Sequence, residues 1–264
     1  MPKNTTTNIM VMAGTKDAVR IIKKLKSSGT FRILATTTTE YGAKIAKESG
    51  ADEVISGMLD EKDLTNLIKK SEIKILVDAT HPFAAAATGN AIKSSENAGI
   101  NYIRFERPEE NITESNLIHR VSSFEDAALK VLEITEKNDK ILHLAGVSTL
   151  NQIIEKINGN QIYARVLPSI NSVQKCLDLG LKQENIIAMQ GTYSKNFNKA
   201  LMEEYNISLI ITKESGATGG TASKIDAALD LDIKVVIVIR PEVIELKNKI
   251  VFNNINDLCY FLLK

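Results

Sequence analysis

Short apolar runs rich in β-branched residues alternate with amphipathic stretches along the whole chain. This alternation is typical of βα units stacked into parallel sheets. Several runs are apolar at nearly every position, as strands buried on both faces require. We therefore predict an α/β protein with mainly parallel sheets. The predicted strands lie at residues 9–13, 31–37, 53–56, 74–79, 101–106, 118–123, 140–145, 161–167, 185–190, 208–213 and 234–239.

A polar segment after Pro108, EENITESN, interrupts the alternation and shows no periodicity. Such a segment is typical of a connection. It separates two series of strands, which predicts two α/β domains, residues 1–112 and 113–264, with a cleft between them.

The composition is that of an ordinary globular protein, with 264 residues, 44% hydrophobic and 25% charged. A net charge of +1 gives no general basis for binding nucleic acid, although a local basic patch could bind an acidic small molecule. The two cysteines show no metal-ligand spacing and no disulfide framework, which fits a reducing compartment. No signal peptide is evident, and no run approaches the roughly 18 apolar residues that span a bilayer. We expect a cytoplasmic protein without a membrane segment, a metal site or a nucleic-acid partner.

Two turns in the first domain have the chemistry of a nucleotide site. After the first strand, MAGTKDA places Gly14 and Thr15 at a helix start, where backbone amides and the helix dipole favour a phosphate. The turn lacks the full G-x-G-x-x-G fingerprint, so a tight turn without a ligand is the alternative. After the second strand, Thr36, Thr37 and Thr38 stand where an acidic residue commonly binds a ribose hydroxyl, which favours NADPH over NADH. Strand propensity and helix capping explain these threonines equally well.

The fourth strand leads into VDATHPFAAAATGNA, residues 77–91, which places Asp78, Thr80 and His81 at its end. Ligands of open α/β sheets bind beyond the carboxyl ends of the strands, so these side chains are candidates for chemistry. The alternative is that Thr80 or His81 caps a helix that opens at Pro82.

The second domain contains a glycine-rich loop, TKESGATGGTASK at residues 212–224. Its glycines permit close approach of the backbone to a ligand, and its hydroxyls and lysines add polar and charged partners. The loop suits a ligand with phosphate or carboxylate groups, and a flexible loop without a ligand is the alternative. Arg165, Gln190 and Tyr193 lie just past other strand ends. The loop residues of interest are Lys213, Ser215, Gly216, Thr218, Gly219, Gly220, Thr221 and Lys224.

The two remaining histidines, His119 and His143, fall inside predicted strands, and we expect them to be core or edge residues. The sequence shows no catalytic triad, no pair of catalytic carboxylates and no zinc-ligand spacing. Hydrolysis and metal-assisted chemistry therefore have no motif support.

Five stretches of the chain together resemble one family. In their order and spacing, VDATHPFAAAATGNA, YIRFERP, YARVLPS, IIAMQGTYS and ITKESGATGGTASKI are similar to the precorrin-6A reductase family of cobalamin biosynthesis, including its cobalt-precorrin-6A branch. The similarity covers nearly the whole chain. It implies two Rossmann-like domains and NADPH-dependent reduction of one double bond in a corrin-precursor macrocycle, through hydride transfer and protonation of the adjacent carbon.

The resemblance also implies roles for individual residues. His81 or Asp78 is expected to assist orientation or protonation as the catalytic group. The macrocycle carries several carboxylates, for which Arg165, Lys213 and Lys224 are the expected partners. The substrate-binding residues are Arg165, Gln190, Gly191 and Lys224. The cofactor-binding residues are Gly14, Thr15, Thr36, Thr37, Thr80, Pro82, Lys213, Ser215, Gly216, Gly220 and Thr221.

The chain departs from the family pattern in two places. The first turn of the family often has the form G-G-T-x-E-A, whereas Ala13 and Asp17 stand here. The stretch HLAGVSTL lacks a T-G-R-type ending, so we assign no site residue to it. Two other functions stay open: an NADPH-dependent reductase of a smaller substrate, and a non-catalytic carrier of a tetrapyrrole or nucleotide.

Overall fold

The computed structural model describes residues 6–108, 112–216 and 219–264. The chain divides into two compact units, one formed by Met1–Pro108 with Glu242–Lys264 and the other by Glu109–Pro241. Among the described residues, each unit contains a six-stranded sheet in which all neighbouring strands are parallel. The predicted α/β class, with two domains built on parallel sheets, is confirmed.

Strands and helices alternate in both units, as the hydrophobic pattern predicts. The first unit contains β1 (Thr7–Met12), α1 (Lys16–Ser27), β2 (Phe31–Thr37), α2 (Glu40–Glu48), β3 (Glu53–Ser56), α3 (Glu61–Lys70), β4 (Ile75–Asp78), α4 (Ala85–Ala98), β5 (Asn101–Phe105), β12 (Ile250–Phe252) and α10 (Ile255–Leu262). The second unit contains β6 (Ile118–Val121), α5 (Phe124–Ile134), β7 (Ile141–His143), α6 (Leu150–Ile154), β8 (Ile162–Val166), α7 (Ile170–Asp178), β9 (Ile186–Ala188), α8 (Lys195–Glu204), β10 (Leu209–Lys213), α9 (Thr221–Leu229) and β11 (Lys234–Val238).

The two sheets share one strand layout. The first has the order β3-β2-β1-β4-β5-β12, and the second has the order β9-β8-β7-β10-β11-β6. In the first sheet, β1–β5 occupy five adjacent places and the distant strand β12 takes the sixth, whereas the second sheet is built from six consecutive strands, with β6 at its edge beside β11. The order reverses between β1 and β4 in the first sheet and between β7 and β10 in the second. These two switch points are where open α/β sheets bind ligands.

The last part of the chain belongs to the first unit, whereas the sequence-based division places it in the second. β12 pairs in parallel with β5, from Ile250 opposite Ile103 to Phe252 opposite Phe105. Helix α10 then buries Leu258 and Leu262 in the core beneath α1 and the central strands. The sequence pattern misses β12 because a three-residue edge strand is too short to show periodicity.

Helix starts follow from local sequence in most places. Ser, Thr or Asp side chains at the N-cap accept a hydrogen bond from the amide three residues later, which satisfies one of the unpaired amides of the first turn. These caps are Thr15, Thr39, Asp60, Ser123, Ser169 and Ser194.

Helices α4 and α9 lack such a cap. Their N-cap residues are Ala84 and Gly220, and neither side chain makes a capping hydrogen bond. These helices follow β4 and β10, which are strands at the two switch points. The positive ends of these two helix dipoles therefore lie where a ligand is expected, and neither N-cap residue supplies a capping side chain.

Replacing Leu258 with alanine tests the assignment of the C-terminal helix to the first core. Leu258 is fully buried, so we expect the free energy of unfolding to fall by about 2–5 kcal/mol through lost burial and a residual cavity. Urea denaturation followed by circular dichroism measures the loss. Leu263→Ala is the control, because that side chain is 46% exposed and should cost less than about 0.5 kcal/mol. Equal losses in the two variants would contradict the packing described here.

Candidate functional site

The first switch point is formed by the turn after β1 and the loop after β4. The Thr15 hydroxyl donates to the Ala79 carbonyl at 2.8 Å and accepts from the Ala18 amide at 3.1 Å, so it joins the two loops while it caps α1. Gly14 has φ +107° and no atom within 4 Å of the place where a Cβ would lie. A side chain there would be strained and would fill open space beside the turn.

Behind the same turn, Asp17 lies in the first turn of α1 and is 4% exposed. Its carboxylate pairs with the guanidinium of Arg107, which follows β5. The pair anchors the start of α1 to the neighbouring strand end. Asp17 thus differs from the glutamate usual in the family, but the side chain is still acidic and has a structural partner.

Asp78 is the centre of a buried polar network at the end of β4. Its Oδ1 is 2.8 Å from Nη1 of Arg104, which occupies the paired position on β5. The same oxygen accepts from the Thr80 amide at 3.0 Å and from the Thr80 hydroxyl at 2.7 Å. Oδ2 accepts from the hydroxyls of Thr88 at 2.8 Å and Tyr102 at 3.0 Å. Burial, with a further contribution from Asp78, raises the pKa of Tyr102, which keeps its hydroxyl a donor.

This network gives Asp78 a positioning role. The residue is fully buried and both of its oxygens are engaged, so the carboxylate has no path to a reacting carbon. It fixes Thr80, whose hydroxyl also accepts from Arg104 Nη1 at 3.0 Å. Of the two roles expected for Asp78, orientation and protonation, its burial and its hydrogen bonds favour orientation.

The loop after Asp78 does not begin a helix at Pro82. The Ala84 amide donates to the His81 carbonyl at 2.8 Å, which forms a turn, and α4 begins only at Ala85. Capping by Thr80 or His81 is thus wrong, because the Thr80 hydroxyl is bound to Asp78. His81 is half-buried, and its Nδ1 accepts from the Phe83 amide at 3.2 Å. This bond places the proton of the neutral ring on Nε2.

A pocket of about 160 Å³ lies at the carboxyl ends of the first strands. Thr36 and Thr37 line it at the end of β2, and Thr80 lines it after β4. Ala86 and Ala87, in the uncapped first turn of α4, form another part of its wall. The full lining is Met12, Ala13, Thr36, Thr37, Thr38, Gly57, Met58, Leu59, Leu64, Thr80, Ala86, Ala87 and Asn90. No carboxylate occurs among these described residues.

The second switch point places His143 at the end of β7. The imidazole is fully buried, as expected for a core histidine, and its Nε2 lies 3.1 Å from both the Gly146 carbonyl and the Thr149 hydroxyl. Burial, with a smaller contribution from the nearby charge of Lys213, lowers the pKa of His143 to about 4. The ring therefore stays neutral near neutral pH.

The glycine-rich loop after β10 is packed wherever the structure describes it. Thr221 is fully buried, and its hydroxyl accepts from the Ser215 amide at 3.1 Å and donates to the Lys213 carbonyl at 3.4 Å. A Cβ on Gly219 would lie 2.2 Å from the Ser215 Cβ, and one on Gly220 would lie 2.7 Å from Thr192 Cγ2. Gly216 has φ +70° and accepts from the Gly219 amide at 2.8 Å. Thr218 lies outside the described residues.

The predicted cationic residues of the second unit differ in what they contact. Lys224 is buried and its Nζ donates to the Gly219 carbonyl at 3.1 Å, so it stabilises the backbone of the glycine-rich loop. Burial lowers the pKa of Lys213. Burial also lowers the pKa of Arg165, which lies near the end of β8. Gln190 and Gly191 are exposed after β9.

The structure thus distributes the predicted site residues over two switch points. The first unit holds Gly14, Thr15, Thr36, Thr37, Asp78, Thr80, His81 and Pro82. The second unit holds Arg165, Gln190, Gly191, Lys213, Ser215, Gly216, Gly220, Thr221 and Lys224. Sequence reasoning missed Arg104, Tyr102, Thr88 and Asn198. A lone arginine inside the apolar β5 run was the one available signal, because a buried charge requires a partner.

Comparison with known proteins decides the family. A sequence model described as precorrin-6x reductase CbiJ/CobK matches residues 8–262. The chain belongs to this precorrin-6x reductase family. It is 45% identical over 257 residues to the cobalt-precorrin-6A reductase of Methanothermobacter thermautotrophicus, covering 97% of this chain and 84% of that protein. It is 42% identical to the cobalt-precorrin-6A reductase of Methanocaldococcus jannaschii, covering 97% and 98% of the two chains.

A solved structure supports the fold of this precorrin-6x reductase family member. CobK precorrin-6A reductase superposes with a TM-score of 0.79 at 18% identity, covering 97% of this chain and 96% of that chain. The predicted family is confirmed, and with it the oxidoreductase class within cobalamin biosynthesis. Membership of a reductase family also supports a nicotinamide cofactor as the source of hydride.

The described residues offer neither a membrane-spanning helix nor a metal-binding cluster. None of their helices has the length and apolar character needed to cross a bilayer. They also contain no group of three or more His, Cys, Asp or Glu side chains arranged to hold a metal ion.

Replacing Arg104 with methionine tests the buried network. Removal of one partner leaves Asp78 as an uncompensated buried charge, so we expect the free energy of unfolding in urea to fall by about 3–5 kcal/mol. Arg32→Met is the matched control, on β2 of the same sheet. Its exposed guanidinium lies 3.9 Å from Glu53, and its loss should cost less than about 1 kcal/mol. A loss from Arg104→Met no larger than that of the control would contradict the network.

The buried neutral state of His143 predicts acid sensitivity. Its pKa is about 4 in the folded protein and 6.5 as the ordinary value, so the unfolded state binds more protons as the pH falls through 6.5. Stability should therefore fall by about 2 kcal/mol from pH 7 to pH 5 through this residue alone. We expect the pH dependence of urea unfolding to be flatter by that amount in His143→Gln. An unchanged pH dependence would contradict the assignment.

Proposed function

We propose that this chain reduces one double bond of the cobalt-precorrin-6A macrocycle, with NADPH as the hydride donor. The observation that carries the proposal is the similarity, over 97% of the chain, to two relatives that bear the name cobalt-precorrin-6A reductase. Any cobalt belongs to the substrate, held by the macrocycle, so the protein needs no ligands for it.

The first switch point fits a dinucleotide. Gly14 leaves open space beside the turn, and the first turn of α4 lines the pocket with amides that no side chain caps. These features favour phosphate groups. Thr36 and Thr37 line the same pocket, and its described walls carry no carboxylate that would repel a ribose phosphate. The pocket therefore favours NADPH over NADH. When bound, this cofactor supplies the hydride.

The second unit supplies cations for the acidic substrate. Burial lowers the pKa values of Lys213 and Arg165, and a carboxylate beside either group would stabilise its charged form. We therefore propose Arg165 and Lys213 as partners of the macrocycle carboxylates, and we keep Ser215, Gly216, Gly220 and Thr221 as proposed cofactor-binding residues. Lys224 stabilises the glycine-rich loop through its hydrogen bond to the Gly219 carbonyl.

His81 is the candidate proton donor for the carbon next to the one that receives hydride. It stands at the carboxyl end of β4, and the Asp78 network fixes the residue before it. The ring would act as an imidazolium that gives up one proton and returns to the neutral form, in which Nδ1 accepts from the Phe83 amide. Asp78 and Thr80 act through position and do not exchange the proton.

The substrate proposal is tested by anaerobic oxidation of NADPH, with cobalt-precorrin-6A and precorrin-6A supplied in parallel. We expect turnover with the cobalt form. The amount of NADPH oxidised, measured by its absorbance, should equal the amount of macrocycle reduced. Turnover with only the metal-free form would overturn the cobalt assignment. A folded protein that binds a macrocycle but oxidises no NADPH with either would favour the carrier alternative.

The role of His81 is tested with His81→Gln. Loss of a positioned proton donor should lower kcat by roughly 10²–10⁴-fold, while the Kd for NADPH, measured by fluorescence titration, stays within about twofold. His119→Gln is the matched control, because His119 lies on the edge strand β6 of the second unit. A kcat that is the same in both variants would rule out His81 as the donor.

A further inference from the structure

We propose that Asn198 is a positioning residue that orients Arg165 without neutralising its charge, so that the guanidinium can pair with a carboxylate of the macrocycle. The proposal rests on the proposed function, since it names one binding contact of that substrate. Asn198 lies in the first turn of α8 and belongs to none of the motifs that identify the family.

Arg165 has neutral neighbours on the sides that the structure describes. Its Nη1 donates to Asn198 Oδ1 at 2.8 Å, and its guanidinium lies 5.3 Å from the centre of the Tyr193 ring. No carboxylate among the described residues pairs with it. A partly buried guanidinium normally has an anionic partner, because removing its charge from water is costly. An anion that arrives with the ligand would meet this need.

The amide of Asn198 can point in only one direction. Asn198 is 1% exposed, and its Nδ2 donates to the carbonyls of Tyr193 at 3.3 Å and Ser194 at 2.9 Å. With both donors used on these carbonyls, Oδ1 must face Arg165. The residue thus fixes the guanidinium through a strong acceptor that carries no charge.

Asn198 also connects Arg165 to the other loops at this edge of the second sheet. The Tyr193 carbonyl that it binds also accepts from the Ser223 hydroxyl at 3.0 Å, and that hydroxyl lies 3.1 Å from the Gly220 carbonyl. A Cβ on Gly191 would lie 3.3 Å from the Tyr193 ring, so glycine leaves room for the ring against Arg165. The end of β8 and the loops after β9 and β10 are therefore linked near the guanidinium, where a carboxylate would also reach the glycine-rich loop.

The substitution Asn198→Asp separates a binding role from a structural one. Aspartate has nearly the same shape but would pair with Arg165 and cancel its charge. If Arg165 only stabilises the fold, an internal partner should leave ligand binding unchanged. If Arg165 binds the substrate, the internal carboxylate competes with the carboxylate of the macrocycle.

The experiment measures the Kd for cobalt-precorrin-6A by visible absorption without NADPH, and then KM and kcat with NADPH. For Asn198→Asp we expect Kd and KM to rise by about ten- to a hundredfold, the loss of one charge-assisted contact. We expect kcat and the Kd for NADPH to stay within about twofold. Arg165→Gln removes the same charge while it retains Asn198, and it should weaken macrocycle binding to a similar extent.

Asn185→Asp is the matched control. Asn185 is 2% exposed, and its Nδ2 donates to the Ile162 carbonyl at 3.1 Å, at the opposite end of β8 from Arg165. This variant also buries a carboxylate and loses a hydrogen bond to the backbone, so it reports general loosening of the unit. We expect its Kd for the macrocycle to stay within about twofold of the unmodified protein.

Three results would overturn the proposal. They are an unchanged macrocycle Kd in Asn198→Asp and Arg165→Gln, an equal rise in Asn185→Asp, and no binding by the unmodified protein. The proposed function fails separately, if the unmodified protein binds the macrocycle but does not turn it over. In that case the Kd comparison among the variants still decides the role of Asn198.

Discussion

Parallel strands covered on both faces leave polar groups almost no place except the strand ends. Residues such as Ile9, Ile33 and Val77 are fully buried in the first sheet, and Ile211 and Val236 are fully buried in the second. A polar side chain in the middle of these strands would lose its water without gaining a partner. The carboxyl ends, which meet at one edge of each sheet, therefore collect the hydroxyls, amides and charges.

The buried charges of Asp78 in the first unit and Arg165 in the second unit are compensated in different ways. In the first unit, Asp78 and Arg104 neutralise each other, and hydroxyl groups satisfy both carboxylate oxygens. That arrangement favours a fixed loop over reactivity. In the second unit, Arg165 faces an amide and an aromatic ring, so its charge is not cancelled from within. Asp78 is thus compensated from within, whereas an acidic ligand is the anionic partner that we propose for Arg165.

The sequence predicts the central elements well because their pattern is local. The run 31–37 coincides with Phe31–Thr37, and the stretch before the glycine-rich loop ends, as expected, at Lys213. The sequence pattern fails where a side chain's partners lie in distant parts of the chain. A helix capped by Thr80 that opens at Pro82 is one such failure. The Thr80 hydroxyl instead binds Asp78, and the other partners of Asp78 are Thr88 on α4 and Tyr102 on β5. Only the strand register, unknown from periodicity, places Arg104 opposite Asp78.

The return of β12 and α10 to the first unit sets the order in which the two units can be completed. The first unit takes its sixth strand and the helix that covers its core from residues 250–262, whereas the second unit uses the continuous segment Glu109–Pro241. Domains generally fold as units while the chain emerges from the ribosome. Here β1–β5 must wait for residues 250–262, which follow the whole second unit in the chain. The second unit can therefore finish before the first, and the edge of β5 stays uncovered until β12 has been made.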